Sequence, residues 1–140
     1  MRTAYLSGPM RGHPQYNFPA FFAAEQVLVR LGWNVLNPAR MDLEQDGFDP
    51  DSGDNIKPVD HYLRRDFEAV MSLDPESDLV VTLPQWDTSK GSRFEVSLAQ
   101  VRGVKQAPLC EVEQLGGFDA NDQVQEVRQA TETGKGLRDG

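Results

Sequence analysis

Asp78-Leu79-Val80-Val81-Thr82-Leu83 is an apolar, β-branched run closed by Pro84. It is continuous rather than alternating, which marks a strand covered on both faces, as a central parallel strand is. Residues 84–91 then read as a loop, and a helix runs from about Ser92 to Arg102 until Gly103 ends it. Residues 104–112 read as a fourth strand, which Pro108 pushes to an edge. On the N-terminal side, Thr3-Ala4-Tyr5-Leu6-Ser7 is a first strand ended by Gly8-Pro9, and residues 8–17 read as a loop. Asn17 and Pro19 suit the start of a helix whose apolar face is Phe21, Ala24, Val27, Leu28 and Leu31, with Gly32 as its stop. Trp33-Asn34-Val35-Leu36 follows as a second strand. Residues 38–57 are polar, acidic and turn-rich and read as a long loop. Pro58 opens another helix with a core face of Val59, Leu63, Phe67 and Val70.

The order β-α-β-α-β-α-β predicts a flavodoxin- or Rossmann-like α/β fold, a doubly wound parallel sheet in one domain. Its expected extent is residues 1–112, and residues 113–140 are expected to form a polar acidic tail, partly helical around 120–131 or disordered. From residue 111 onward there are seven acids and three bases, a net −4, which is half of the chain's −8.

That charge and a pI near 4.7 argue against a nucleic-acid partner, because an acidic protein repels phosphate backbones at long range. A small anion still fits where backbone amides bind it locally. One cysteine, Cys110, excludes an internal disulfide, and with only two histidines, His13 and His61, there is no zinc ligand set. No metal and no cofactor are expected. No stretch is long and apolar enough for a membrane helix and no signal peptide is apparent, so no membrane partner and a cytoplasmic location are expected.

In open α/β sheets, ligands bind beyond the carboxyl ends of the strands. Here those ends are the loops at 7–17, 37–57 and 84–92. The third, Pro84-Gln85-Trp86-Asp87-Thr88-Ser89-Lys90-Gly91-Ser92-Arg93-Phe94-Glu95, sets a glycine and hydroxyls just before a helix, where free amides attract an anion. The same residues also read as a capping box, with Ser92 capping the helix and Glu95 reaching back. The first loop, Ser7-Gly8-Pro9-Met10-Arg11-Gly12, offers glycines for close backbone approach and an arginine suited to phosphate, or a tight turn with a solvated arginine. Arg64-Arg65-Asp66 reads as a solvated helix face or as part of a site. Trp86 and the 37–57 loop are candidate walls of a base pocket.

These pieces in this order resemble the nucleoside 2-deoxyribosyltransferase-like superfamily, specifically its short phage and bacterial branch, similar to nucleoside 5′-monophosphate N-glycosidases. The resemblance rests on Tyr5-Leu6-Ser7-Gly8-Pro9-Met10-Arg11-Gly12, Asn17-Phe18-Pro19-Ala20-Phe21, Gly32-Trp33-x-Val35-x-Asn37-Pro38, the Asp66 helix, Asp78-Leu79-Val80-Val81 and Gly91-Ser92-Arg93-Phe94-Glu95-x-x-x-Ala99. It implies a catalytic set of Glu95, Asp66 and Tyr5. Glu95 attacks the sugar C1′, Tyr5 holds that carboxylate, and Asp66 handles the proton of the leaving base. It also implies a small-molecule nucleotide or nucleoside as ligand and a homodimer or higher homo-oligomer whose subunits share sites. Members acting on free nucleosides carry an aspartate six residues before the glutamate, and members that hydrolyse monophosphates carry a serine. That position is Ser89 here, so hydrolysis of a nucleoside 5′-monophosphate is expected, with Ser7, Gly8, Pro9, Met10, Arg11, Gly12, Ser89, Gly91 and Ser92 around the sugar phosphate. Asp87 is an extra acid that can take the sugar role instead. The alternatives are a deoxyribosyltransferase on free nucleosides and a non-catalytic nucleotide-binding or sensing protein.

Overall fold

Four parallel strands, β1 (Thr3–Ser7), β2 (Asn34–Leu36), β3 (Leu79–Thr82) and β4 (Lys105–Pro108), align in the order β2-β1-β3-β4 in the computed structural model, which describes residues 1–115. Tyr5 is in register with both Leu36 and Val80, and Ser7 with Thr82. Among the described residues, five α-helices cover the sheet: α1 (Phe18–Arg30), α2 (Pro38–Asp46), α3 (Val59–Met71), α4 (Lys90–Arg102) and α5 (Leu109–Leu115). The expected α/β class and Rossmann-like arrangement are what the chain adopts.

Alternation along the strands divides the core in two. Ala4, Leu6, Leu79 and Val81 face one way and pack with Phe21, Ala24 and Leu28 of α1 and Val112 of α5. Tyr5 and Val80 face the other way and pack with Val70 of α3 and Val96 and Ala99 of α4. Gly8, just past β1, is required by packing: a Cβ there would lie 2.9 Å from the Leu83 Cβ. The close neighbour is thus the end of β3.

Several expectations are corrected. Residues 38–46 form helix α2. Asn37 caps it, its side-chain oxygen accepting from the Ala39 N–H at 2.9 Å, Pro38 occupies the first turn, and Gly47 ends it at φ 65°. Its buried face is only Pro38, Ala39 and Asp42, too small and polar a strip to give an apolar period. The connecting loop is 47–57, anchored by buried Phe48. Asn17 caps nothing; it stands at φ 60° and donates from Nδ2 to the Pro9 carbonyl at 2.8 Å.

The expected core face of α3 is largely outside: Val59 is 54% exposed, Leu63 38% and Phe67 42%, and only Val70 is buried. Helix α4 starts at Lys90 with Ser89 as its cap, because Ser89 Oγ accepts from the Ser92 N–H at 3.2 Å. The fourth strand stops at Pro108 and the chain continues as α5, which crosses the expected boundary at 112/113. The helix expected around 120–131 lies outside the described residues. Among the described residues, no helix is long and apolar enough to cross a membrane.

Asn37 is the joint of α2 and α1: besides capping, its Nδ2 donates to Glu25 at 2.9 Å and to the Phe21 carbonyl at 3.4 Å. Losing a cap costs about 0.5–2 kcal/mol. Asn37→Ala is therefore expected to lower the thermal midpoint by roughly 3–5 °C per kcal/mol lost. An unchanged midpoint in calorimetry would contradict this joint.

Candidate active site

The strand order reverses direction at β1, so the crevice between the carboxyl ends of β1 and β3 is the switch point where such sheets bind ligands. The two chains separate after Ser7 and Leu83, and the loops that follow open onto a cavity of about 570 Å³, a size that fits a small molecule.

Glu95 lies at its floor. It stands in the second turn of α4, is 5% exposed, and lines the cavity. Tyr5 Oη donates to Glu95 Oε2 at 2.9 Å, and Ser7 Oγ donates to Oε1 at 2.6 Å. Tyr5 and Ser7 are two residues apart on β1, so both hydroxyls point to the face that α4 covers. Burial first, and then repulsion from Asp66, pushes the Glu95 carboxyl well above the carboxylate range, while the Ser7 and Tyr5 hydrogen bonds pull it back. The Tyr5 phenol is pushed up by burial and by Glu95, so it remains a neutral donor.

Asp66, on α3, lines the same cavity, and burial raises its carboxyl too, against the pull of its bond to Glu95 and of Arg65. Two carboxyls facing each other titrate as a pair, and the first charge formed opposes the second. Behind Asp66, Arg65 bonds to Asp42 through Nη2 and to Asp46 Oδ2 through Nη1 at 3.1 Å; His61 Nε2 lies 3.0 Å from the same Asp46 oxygen. Burial lifts Asp42 to about 6 despite Arg65.

Buried polar atoms almost always find partners. Among the described residues five buried side-chain atoms do not, and three of these, Arg65 Nε, Asp66 Oδ1 and Ser92 Oγ, belong to residues lining this cavity.

Of the residues expected from sequence, Gly8, Pro9, Met10, Arg11, Ser89, Gly91, Ser92, Asp66 and Glu95 line the cavity, and Tyr5 and Ser7 support Glu95 from behind. Gly12 and Asp87 do not line it. Gly12 serves a turn at φ 84°, and Asp87 faces solvent on the short 3-10 turn Trp86–Thr88. The capping-box reading is overturned: Ser89 is the cap, and Glu95 reaches across to β1 instead of back along its helix. Trp86 packs against the α3/α4 side of the core instead of lining the cavity.

The aromatic wall is Tyr16, Phe48 and Tyr62. Tyr16 stands at φ 53° between Gln15 at 53° and Asn17 at 60°, a left-handed run rare outside glycine, and meets Phe48 edge-on at 4.9 Å. Sequence reasoning named the 37–57 segment as a candidate wall, and Asp42 and Phe48 do line the cavity, but it singled out neither of them, nor Arg65 within Arg64-Arg65-Asp66, and it missed Tyr16 and Tyr62. Reading Asn37-Pro38 as a cap and first turn would have exposed α2, and with it Asp42 one turn on.

A raised folded pKa means that protonation favours the fold, so stability falls as pH climbs from about 4.3, the free glutamate value, through the folded one. Glu95→Gln keeps partners for Tyr5 and Ser7 and removes the charge. Its melting temperature is expected to exceed that of the parent at pH 8, with the gap narrowing toward pH 4.5. A gap that widens on acidification would contradict the assigned direction.

No curated protein and no solved structure matches the chain. Residues 2–106 match the family described as Domain of unknown function (DUF4406). That span runs from β1 into β4 and holds all of the cavity residues named above, so the site lies wholly within the shared region. The chain belongs to the DUF4406 family.

Proposed function

We propose that the protein is an N-glycosidase that hydrolyses the base–sugar bond of a nucleoside 5′-monophosphate, and a member of the nucleoside 2-deoxyribosyltransferase-like superfamily. One observation carries this reading: a buried glutamate, held by two hydroxyl donors and facing a second carboxyl, at the floor of a nucleotide-sized cavity.

Cleavage of an N-glycosidic bond develops oxocarbenium character at C1′. The ionised Glu95 carboxylate bonds to C1′ as the C1′–N bond breaks, and Tyr5 and Ser7 aim it and favour its ionised form against the burial that opposes it. Asp66, raised by burial, gives its proton to the departing base. A water then attacks C1′ and passes its proton to Asp66, and the bond to Glu95 breaks, leaving the sugar phosphate with retained configuration.

At the other end of the sugar, the first turn of α4, Arg11, Ser89 and the unpartnered Ser92 hydroxyl offer donors for a phosphate. Ser89 accepts from the helix with its lone pair and keeps its O–H to donate. The solvent-facing position of Asp87 supports the monophosphate over the free nucleoside.

The acting unit in this reading is a cytoplasmic homodimer. Val59, Leu63, Phe67 and Met71 form an exposed stripe along α3, continued by Phe94 of α4 stacked on Phe67 at 6.4 Å between centroids. Val59 and Leu63 also line the cavity, so a second copy on this stripe would border the site.

Incubation with nucleoside 5′-monophosphates and the matching nucleosides, followed by chromatography, is expected to release base from the monophosphates. Glu95→Ala should abolish release, and Asp66→Asn should slow it roughly 10²–10⁴-fold. Release from nucleosides alone, or undiminished release by the Glu95 variant, refutes the mechanism. Phe67→Asp is expected to turn a dimer into a monomer in light scattering; a parent protein that is already monomeric refutes the assembly.

A further inference from the structure

We infer that residues 9–17 form a strained lid on the cavity, latched to the 47–57 loop by Gln15 and Asp51, and that the floor of the cavity is reached only when this latch opens. The inference concerns access and goes beyond the glycosidase reading: it holds for any ligand of the cavity, with or without turnover.

Glu95 and Ser92 line the cavity yet are only 5% and 2% exposed, and the Ser92 Oγ is buried. A ligand that bonds to either needs more access than the resting walls give. The walls from α3 and α4 are fixed by the core, through Val70 on one and Val96 and Ala99 on the other. Helix α2 is tied to α1 through Asn37 and through Arg40, which binds Glu25 at 2.7 Å. Phe48, buried in the core, anchors the 47–57 loop. The remaining wall is the segment after β1, from which Met10, Arg11, His13 and Tyr16 line the cavity.

Three successive residues of that segment, Gln15, Tyr16 and Asn17, stand at φ 53°, 53° and 60°. Left-handed backbone is unfavourable for a residue with a Cβ, and side chains visit it singly rather than in runs. Such strain persists only where the surroundings enforce it, and it gathers at ligand clamps and switches. Here the enforcing contacts are few. Asn17 Nδ2 donates to the Pro9 carbonyl at 2.8 Å and draws the ends of the segment together, as in an Ω-loop. The Tyr16 ring meets Phe48 edge-on at 4.9 Å. Gln15 Nε2 donates to Asp51 Oδ1 at 3.0 Å, a bond between exposed side chains for which water competes. Pro9 and Phe18 at the two ends are buried, whereas Arg11, Gly12, Pro14 and Gln15 between them are exposed. The ends therefore act as hinges, and the middle lifts once the exposed clasp parts. Lifting lets the left-handed run relax, so strain favours opening and the clasp favours closure.

The test measures access without a ligand. In the full chain carrying Cys110→Ser, which removes the exposed native thiol, Ser92→Cys sets a thiol at the cavity floor. Its rate of exchange with the aromatic disulfide DTNB is followed by absorbance. Exchange is expected to be slow compared with the same thiol in denaturant. Asp51→Ala should speed it roughly twofold to tenfold, the scale of one net hydrogen bond. Asp51→Asn, which keeps an acceptor for Gln15, should leave the parent rate. Gln15→Gly added to Asp51→Ala removes strain where no clasp is left to lose, and should slow exchange again by roughly fivefold. If the Ser92 variant does not fold, Asp66→Cys carries the thiol and the same comparisons apply. Parent exchange as fast as in denaturant, no acceleration by Asp51→Ala at unchanged melting temperature, equal acceleration by Asp51→Asn, or no slowing by Gln15→Gly would each overturn the lid.

Discussion

A carboxyl group taken out of water is the constraint around which this molecule is organised. Glu95 is buried beneath its cavity, where ionisation is opposed by lost solvation and by Asp66. Two hydroxyls on one strand offset part of that cost, and they meet the glutamate only because β1 and α4 are fixed against each other by the core. The parallel register of β1 with β3 thus acts on the site directly: it sets where α4 begins relative to Tyr5 and Ser7. Fold and site are coupled through one residue that the fold would be more stable without, a common trade in functional sites.

Much of this architecture was legible in the sequence because its signals are local and strong. The run at 78–83 and the glycine stops at 32 and 103 placed the central strand and the ends of α1 and α4. Helix α2 escaped because its buried face is a proline, an alanine and an aspartate, which no hydrophobic period reveals. The face of α3 was misassigned for the opposite reason. Val59, Leu63 and Phe67 have the correct spacing, but spacing identifies an apolar stripe without saying what covers it. In this chain the stripe is left bare.

The candidate site was legible in proportion to how much of it is carried by short contiguous segments. Glu95, Ser89, Gly91 and Ser92 lie within the cap and first two turns of α4, and Gly8 to Arg11 within a single loop, so motif order brought them to attention together. Arg65 with Asp42 was invisible, since the pairing spans 23 residues and depends on how α2 leans on α3. The choice between a helix cap and a site at Ser92 likewise needed geometry. Shifting the cap three residues, to Ser89, releases Glu95 from local duty.

The cavity draws its walls from two sources. The paired carboxyls and their hydroxyl supports belong to the sheet and to α3 and α4, whose inner faces are locked in a packed core. Asp42 and Phe48, by contrast, come from α2 and the 47–57 loop at the margin of the sheet. Loops and marginal elements tolerate insertion and substitution far better than a core does. Innovation is therefore cheap on one side of the cavity and expensive on the other. Gene copies of this chain can drift in what they admit while inheriting the same buried carboxyl pair, so relatives that differ most across residues 38–57 are expected to differ in ligand before they differ at Glu95 and Asp66.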